Sequence, residues 1–381
     1  MFGTPEGPWN ITKRLEQKLG PRLHVSGLLE FDLPRAEGAL KLKRESNFAK
    51  SYAQTVVAKT VDDFKQSVDA GKAKAPLAIF IATTPQYRGG LSAPNDLELQ
   101  VNKAFPDAAI FLEKPVSTGV PWEKSVNESK EVGKFLEENQ KGPISIGYVL
   151  RYLKAVKEMK KIIEDNNLTV MAVNARFITA YELAIKTDWW DKSIVHGPII
   201  EQGTHLCDLV RYLGGEIDMD TVQAHAVEAH EKPGKLSKTN FDQSKISDDN
   251  QIPRVTTATW KYESGAVGNL LHAIALHTGD WSIQVEVYAD GYELILADPF
   301  GSPALHVRRP GTDHAEIIPT PGPDDPYQTE MDHFIDAIEG GNLPILCTYE
   351  DAAKTYEFTW KIRLSSEEST RKQLAKKGKS S

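Results

Sequence analysis

Two short stretches of this chain carry side chains suited to proton transfer. Glu113-Lys114-Pro115-Val116 directly follows the apolar run Ala108-Ala109-Ile110-Phe111-Leu112. Further on stands Glu201-Gln202-Gly203-Thr204-His205-Leu206-Cys207-Asp208. An ammonium, a carboxylate and an imidazole can together move protons at neutral pH. Glu201 and His205 are four residues apart, so a helix places both on one face. Asp208, three residues beyond His205, is spaced either to orient the ring or to serve as an ordinary hydrogen-bonded helix residue. Glu113 and partial burial would move the Lys114 pKa in opposite directions.

The elements around these stretches change character along the chain. The first half alternates strand-like and helix-like segments, the mark of a parallel sheet with crossover helices. Ile11, Leu15 and Leu19 predict a helix ended by Gly20-Pro21. Strands are predicted at Leu23–Leu29, Leu77–Ala82 and Ile144–Val149, besides the run that ends at Leu112. Helices are predicted at Asp96–Phe105 and Trp122–Asn139. After a helical Tyr152–Asp165, the second half gives consecutive strands at Val170–Ile178, Val222–Val227, Val255–Tyr262, Ala266–Ala275, Ser282–Ala289 and Tyr292–Ala297. Asp290-Gly291 is a hairpin turn signal, so this sheet is expected to be antiparallel. Gln328–Ile338 and Tyr349–Arg363 are expected to close the second domain, and polar His230–Pro253 reads as a long exposed loop.

A dinucleotide-binding fold opens with a strand and a glycine-rich turn at a helix N-terminus, where backbone N–H groups meet the pyrophosphate. Gly3 and Gly7 stand where such a turn is expected, with Pro5 at the middle glycine position and Glu6 adding negative charge. Almost no strand precedes them. Either the true start lies upstream, or the cofactor site is altered; a plain N-terminal turn is the third reading. Glu30 ends a strand where a carboxylate accepts hydrogen bonds from the adenosine ribose, which favours NAD over NADP. Arg35, close by in sequence, argues for NADP. Thr84 and Pro85 follow another strand and would line the cofactor cleft, or form a plain loop. Tyr181, Trp190 and Lys192 precede the Glu201–His205 segment. Aromatic faces suit the C–H surface of a sugar or cyclic polyol and Lys192 could bond its hydroxyls, although core packing explains the tryptophans equally well.

The order and spacing of these motifs resemble the glucose–fructose oxidoreductase / inositol dehydrogenase (Gfo/Idh/MocA) family of nicotinamide-dependent enzymes. Tyr148 and Arg151-Tyr152 at the start of the second domain are similar to that family as well. The resemblance implies an α/β N-terminal Rossmann-like domain, here with its first strand cut short. It also implies an α+β C-terminal domain with a large open, mostly antiparallel sheet. The expected boundaries are 1–145 for the dinucleotide-binding domain, 146–366 for the substrate-binding and oligomerisation domain, and 367–381 for a flexible tail. It further implies that Lys114 contacts cofactor and substrate, with Glu113 beside it, and that the Lys114–Pro115 peptide is often cis. The family's aspartate-x-Gly-x-His pattern falls on Glu201 and His205, with Glu in place of Asp; one methylene moves the carboxylate by about 1.5 Å. The implied activity is hydride transfer to or from a secondary alcohol or carbonyl of a sugar, polyol or related cyclic compound, with NAD or NADP and with NAD favoured. Lys114, His205 and Glu201 are the catalytic set. A homodimer or tetramer is implied by the family's open sheet.

Bulk properties narrow the alternatives. The 381 residues carry a formal net charge of -8, which disfavours nucleic-acid partners. Two cysteines are too few for a disulfide framework or a zinc site, and no apolar run approaches the roughly 20 residues needed to span a bilayer. A cytoplasmic, membrane-free and metal-free protein is expected. Two other readings stay open: a non-catalytic dinucleotide-binding regulator of the same fold, and an inactive truncated member of the family.

Overall fold

The computed structural model describes residues 10–182, 184–277, 281–319 and 324–377. Gly3 and Gly7 lie outside the described residues. The chain divides into two compact units, one built from residues up to 149 together with Asp325–Ala353, the other from Leu150–Asp324 and the segment from Lys354 onward.

The first unit opens with α1 (Ile11–Leu19), whose N-cap Asn10 accepts the Lys13 N–H and whose end is turned by Gly20 at φ 52. There follow β1 (Gly27–Leu29), α2 (Leu33–Arg44), α3 (Ala49–Tyr52), β2 (Val56–Ala58), α4 (Val61–Asp69), β3 (Ala78–Ile81), α5 (Leu97–Ala104), β4 (Ala109–Leu112), α6 (Trp122–Asn139) and β5 (Ile144–Ile146). All strand pairs here are parallel. β1 pairs with β2, and β3-β4-β5 form a separate three-stranded sheet; among the described residues no ladder joins the two. β4 lies between two neighbours and is buried along its whole length, as an uninterrupted apolar strand must be.

The second unit contains α7 (Lys154–Asp165), β6 (Val170–Ala180), α8 (Lys192–Val195), α9 (Thr204–Gly214), β7 (Ile217–Val227), β8 (Val255–Tyr262), β9 (Val267–Leu276), β10 (Ser282–Ala289), β11 (Tyr292–Ala297), β12 (Ala304–Arg308) and β13 (Glu316–Ile318). These eight strands form one sheet in the order β13-β12-β11-β10-β6-β9-β8-β7. Every pairing is antiparallel except β6 with β9. The strands alternate buried and exposed residues, so one face is apolar. The amphipathic faces of α7 and α9 bring Met159, Leu206 and Leu209 into one core with Val173, Leu270 and Val285. α9 stops where Gly214 passes the Tyr262 ring, so closely that a Cβ would stand 2.5 Å from it.

Two helices complete the chain, α10 (Pro326–Ile338) and α11 (Tyr349–Lys377). α10 joins the first unit and not the second, because its apolar stripe buries Met331, Phe334 and Ile335 against Ile11, Leu15 and Phe111. Phe80, Phe111 and Phe334 meet there with ring centroids 5.6–5.7 Å apart. The expected tail from residue 367 is instead helical as far as Lys377. The segment 230–253 is also more than an exposed loop. Leu236, Phe241, Ile246 and Ile252 form a satellite core with Tyr181, Trp190 and Ile274. Buried Arg254 ties the segment together by donating to the carbonyls of Gly234 and Ile252 and to the side chains of Gln243 and Gln251.

Candidate functional site

In the first unit, the expected cofactor residues stand at the carboxyl ends of the parallel strands, where ligands of such sheets bind. Glu30 follows β1, and its Oε1 accepts the Asp32 N–H at 3.3 Å. Asp32 in turn caps α2, whose first turn carries exposed Arg35. Thr84 and Pro85 follow β3 and open a short turn that ends at Tyr87. The Tyr87 ring lies 5.3 Å from Phe31, so the ends of β1 and β3 share an aromatic wall. Glu113 and Lys114 follow β4, and the Lys114–Pro115 peptide is cis. Burial raises the Glu113 carboxyl above the usual carboxylate range, although Lys114 and Arg88 pull it down.

These residues fit a dinucleotide. Among the described residues, the first turn of α1 has no acidic side chain to oppose an anion at its positive end. Glu30 places a hydrogen-bond acceptor at the carboxyl end of β1.

In the second unit, Glu201 lies in a single π-type turn, Ile199–Gly203, that leads directly into α9. Such turns occur often at functional sites. His205 is the second residue of α9, half-buried, with its ring edge-on to Phe300 at 5.4 Å. Phe177 continues this aromatic floor, touching Phe300, Trp281 and His272. Phe177 and His272 are direct partners across the β6–β9 ladder. Burial lowers the His272 imidazole to about 3, so it is neutral, and its Nε2 meets the acceptor Oε1 of Gln202 at 3.0 Å. Trp189 donates from Nε1 to Glu201 Oε2 at 3.2 Å, which fixes the direction of that carboxylate.

A buried ionic network holds α9 itself. Arg151 donates to both oxygens of Asp208, at 2.8 and 2.6 Å. Thr355 donates to Asp208 Oδ1 and accepts from Arg211, which also bonds Glu216. Asp208, spaced to orient His205, thus engages Arg151 and anchors the whole helix.

Two expected substrate residues change role. Trp190 is 1% exposed, stacked on Phe241 at 4.3 Å with Arg254 over its ring, and its Nε1 donates to Ala184. Tyr181 is equally buried and accepts the Lys238 N–H. With both faces covered, these rings build the satellite core and offer no stacking surface. Lys192, on α8, lines a cleft with His196, Glu228 and Arg363. Sequence reading missed Trp281, Phe300 and His272, which are scattered over separate strands and loops with no local motif. It also missed Arg88 and Glu98 of the first unit, buried charges in a largely exposed strand–helix connection with no motif to mark them.

Among the described residues no helix is long and apolar enough to cross a membrane, and no cluster of ligating side chains suits a metal ion. Both cysteines are buried, and neither forms a disulfide.

Residues 151–292 match a family model described as "Putative oxidoreductase C terminal domain". Two uncharacterised proteins of Schizosaccharomyces pombe are 39% and 40% identical over 360 residues, covering 94% of this chain and 92% and 87% of their own lengths. Among solved structures, levoglucosan dehydrogenase in complex with NADH and levoglucosan superposes with a TM-score of 0.67 at 15% identity, over 94% of this chain and 93% of that one. UDP-N-acetylglucosamine 3-dehydrogenase from Acidithiobacillus ferrooxidans gives 0.65 at 16% identity, over 93% and 94%. These two share the fold. With the strand-end lysine, the Gly-x-His helix and the eight-stranded sheet, the chain belongs to the Gfo/Idh/MocA family of oxidoreductases.

Proposed function

We propose that this protein is an NAD(P)-dependent oxidoreductase acting on a secondary alcohol of a sugar, polyol or related cyclic compound. The observation that carries this reading is the setting of His205: an imidazole on the first turn of a helix locked by buried ion pairs, four residues from a carboxylate and edge-on to an aromatic floor. His205 takes or returns the proton of the reacting hydroxyl. Glu201, aimed by Trp189, accepts a hydrogen bond from a neighbouring hydroxyl. Trp281, 44% exposed, offers the ring face that a sugar's C–H surface prefers. Lys114 polarises the reacting oxygen, and Glu30 holds the adenosine ribose. The nicotinamide, when bound, accepts or donates the hydride. Glu30 and Asp32 set two carboxylates where a 2′-phosphate would lie, which favours NAD; Arg35 is the residue that would favour NADP. The polar open face of the sheet, where Asn174, Arg176, Gln284 and Glu286 bond across strands, is the surface for a homodimer or tetramer.

Titration with NADH and NADPH, followed by a screen of sugars and polyols, tests this directly. His205→Ala and Lys114→Ala should each lower turnover at least ~100-fold, the loss expected when an acid/base group is removed. Near-normal rates in both variants would refute the assignment.

A further inference from the structure

We propose that the turn Arg88-Gly89-Gly90 positions the Lys114 ammonium, with Glu98 and Tyr349 holding that turn in place. The inference rests on reading Lys114 as the group that faces cofactor and substrate. Arg88 is 1% exposed and donates from Nη1 to the carbonyl oxygen of Glu113, the residue bonded to Lys114. On the other side of the lysine, Gly89 at φ +72 packs so closely that a Cβ would stand 2.5 Å from Ser117 Cβ and 3.0 Å from the Val116 carbonyl oxygen. The segment carrying Lys114 is gripped before and after the lysine by two consecutive residues.

The grip is itself braced from α5 and α11. Glu98 is fully buried, and both its oxygens accept the Gly89 N–H at 3.1 Å. The Tyr349 hydroxyl donates to Glu98 Oε1 at 3.0 Å. The Arg88 guanidinium faces the carboxyls of Glu98 and Glu113 and the phenols of Tyr148 and Tyr349. Glu128 reaches the same turn from α6, with Oε2 3.3 Å from where a Gly90 Cβ would stand. Packing alone would need no more than the attraction of two opposite buried charges, Arg88 and Glu98. The further bond to the Glu113 carbonyl is what connects this group to Lys114. Burial raises Glu98 to about 7, so its charge changes in the neutral range and the brace changes with it.

Acetic anhydride labelling of Lys114 in the full chain tests the proposal without any nucleotide. Labelling is quantified by peptide mass spectrometry against exposed Lys134 in the same digest. In the native chain the Lys114-to-Lys134 ratio should step by about twofold or more across neutral pH, beyond the smooth rise from amine ionisation. Glu98→Gln should abolish the step. Arg88→Met should change the ratio at least ~3-fold at fixed pH, and Arg88→Lys should restore part of it. Tyr349→Phe, the loss of one hydroxyl, should weaken the step; it and Glu98→Gln decide the matter if Arg88→Met does not fold. Ratios that agree across all folded variants, with the same pH course, would overturn the proposal. Protection of Lys114 by NADH is read separately: a pH step without protection would count against the cofactor reading alone.

Discussion

Replacing Glu98 by Gln removes one ionisable group from the interior of the first unit with almost no change of shape. In the native chain burial raises this carboxyl from 4.5 to about 7, against the opposing pull of Arg88, the Gly89 N–H and the Tyr349 hydroxyl. In the unfolded chain it returns to its ordinary value. Between these two pH values the native state keeps a proton that the unfolded state has released, so stability falls as pH rises and the loss is complete above about 7. At ~1.4 kcal/mol for each tenfold change in proton affinity, the full loss is about 3 kcal/mol. The Gln variant holds no such proton and should lack this part of the pH dependence. Its absolute stability also reflects how well an amide sits beside Arg88, but the slope against pH does not. Glu113, likewise raised by burial, titrates in both proteins and cancels. Urea unfolding followed by far-UV circular dichroism, on the acid side of this window and above it, gives the comparison. The native protein should lose ~3 kcal/mol more than the variant between the two conditions. Parallel losses would mean that Arg88 and the two donors already hold Glu98 ionised in mild acid, and the reasoning would fail.

Asp208→Asn leaves the Arg151 guanidinium buried without its carboxylate and should cost about 3–5 kcal/mol in urea unfolding, with a loss below ~1 kcal/mol refuting the anchoring role. His272 should stay neutral: its ring resonances should not titrate between about pH 5 and 8, and because the unfolded chain takes up a proton below about 6.5 that the folded one refuses until about 3, its contribution to stability is lost as pH falls through that window. Arg254→Met should free the segment 230–253, so that limited proteolysis there accelerates at least ~10-fold while cleavage elsewhere is unchanged.

Where the chain repeats a period, its folded form could be read directly. β8, β10 and β11 begin and end at the residues that alternation and the Asp290-Gly291 turn indicate, and α6 spans the predicted Trp122–Asn139. Short elements were lost: β2 has three residues, β12 five and β13 three, too few for a pattern to stand out. The helix α10 was legible as a helix, but not its membership of the first unit, since an apolar stripe states that burial occurs and not against what. The same limit governs the site. Lys114, Glu201 and His205 lie in local motifs, so the sequence alone could single them out as candidates. Trp281, Phe300 and His272 meet through the fold of separate elements and left no signal. Trp190 was read as a binding surface because composition alone cannot show that Phe241 and Arg254 cover its two faces.

The route of the chain has a consequence for its synthesis. The aromatic core of the first unit sets Phe80 and Phe111, from early in the sequence, against Phe334, which emerges from the ribosome only after the whole eight-stranded sheet has been translated. Until then a nascent chain exposes the apolar face that α10 will cover, a surface for chaperones to hold and for aggregation to exploit. Premature termination between Ile318 and Pro326 would release a product whose eight-stranded sheet is complete yet whose lysine-bearing unit lacks a wall of its core.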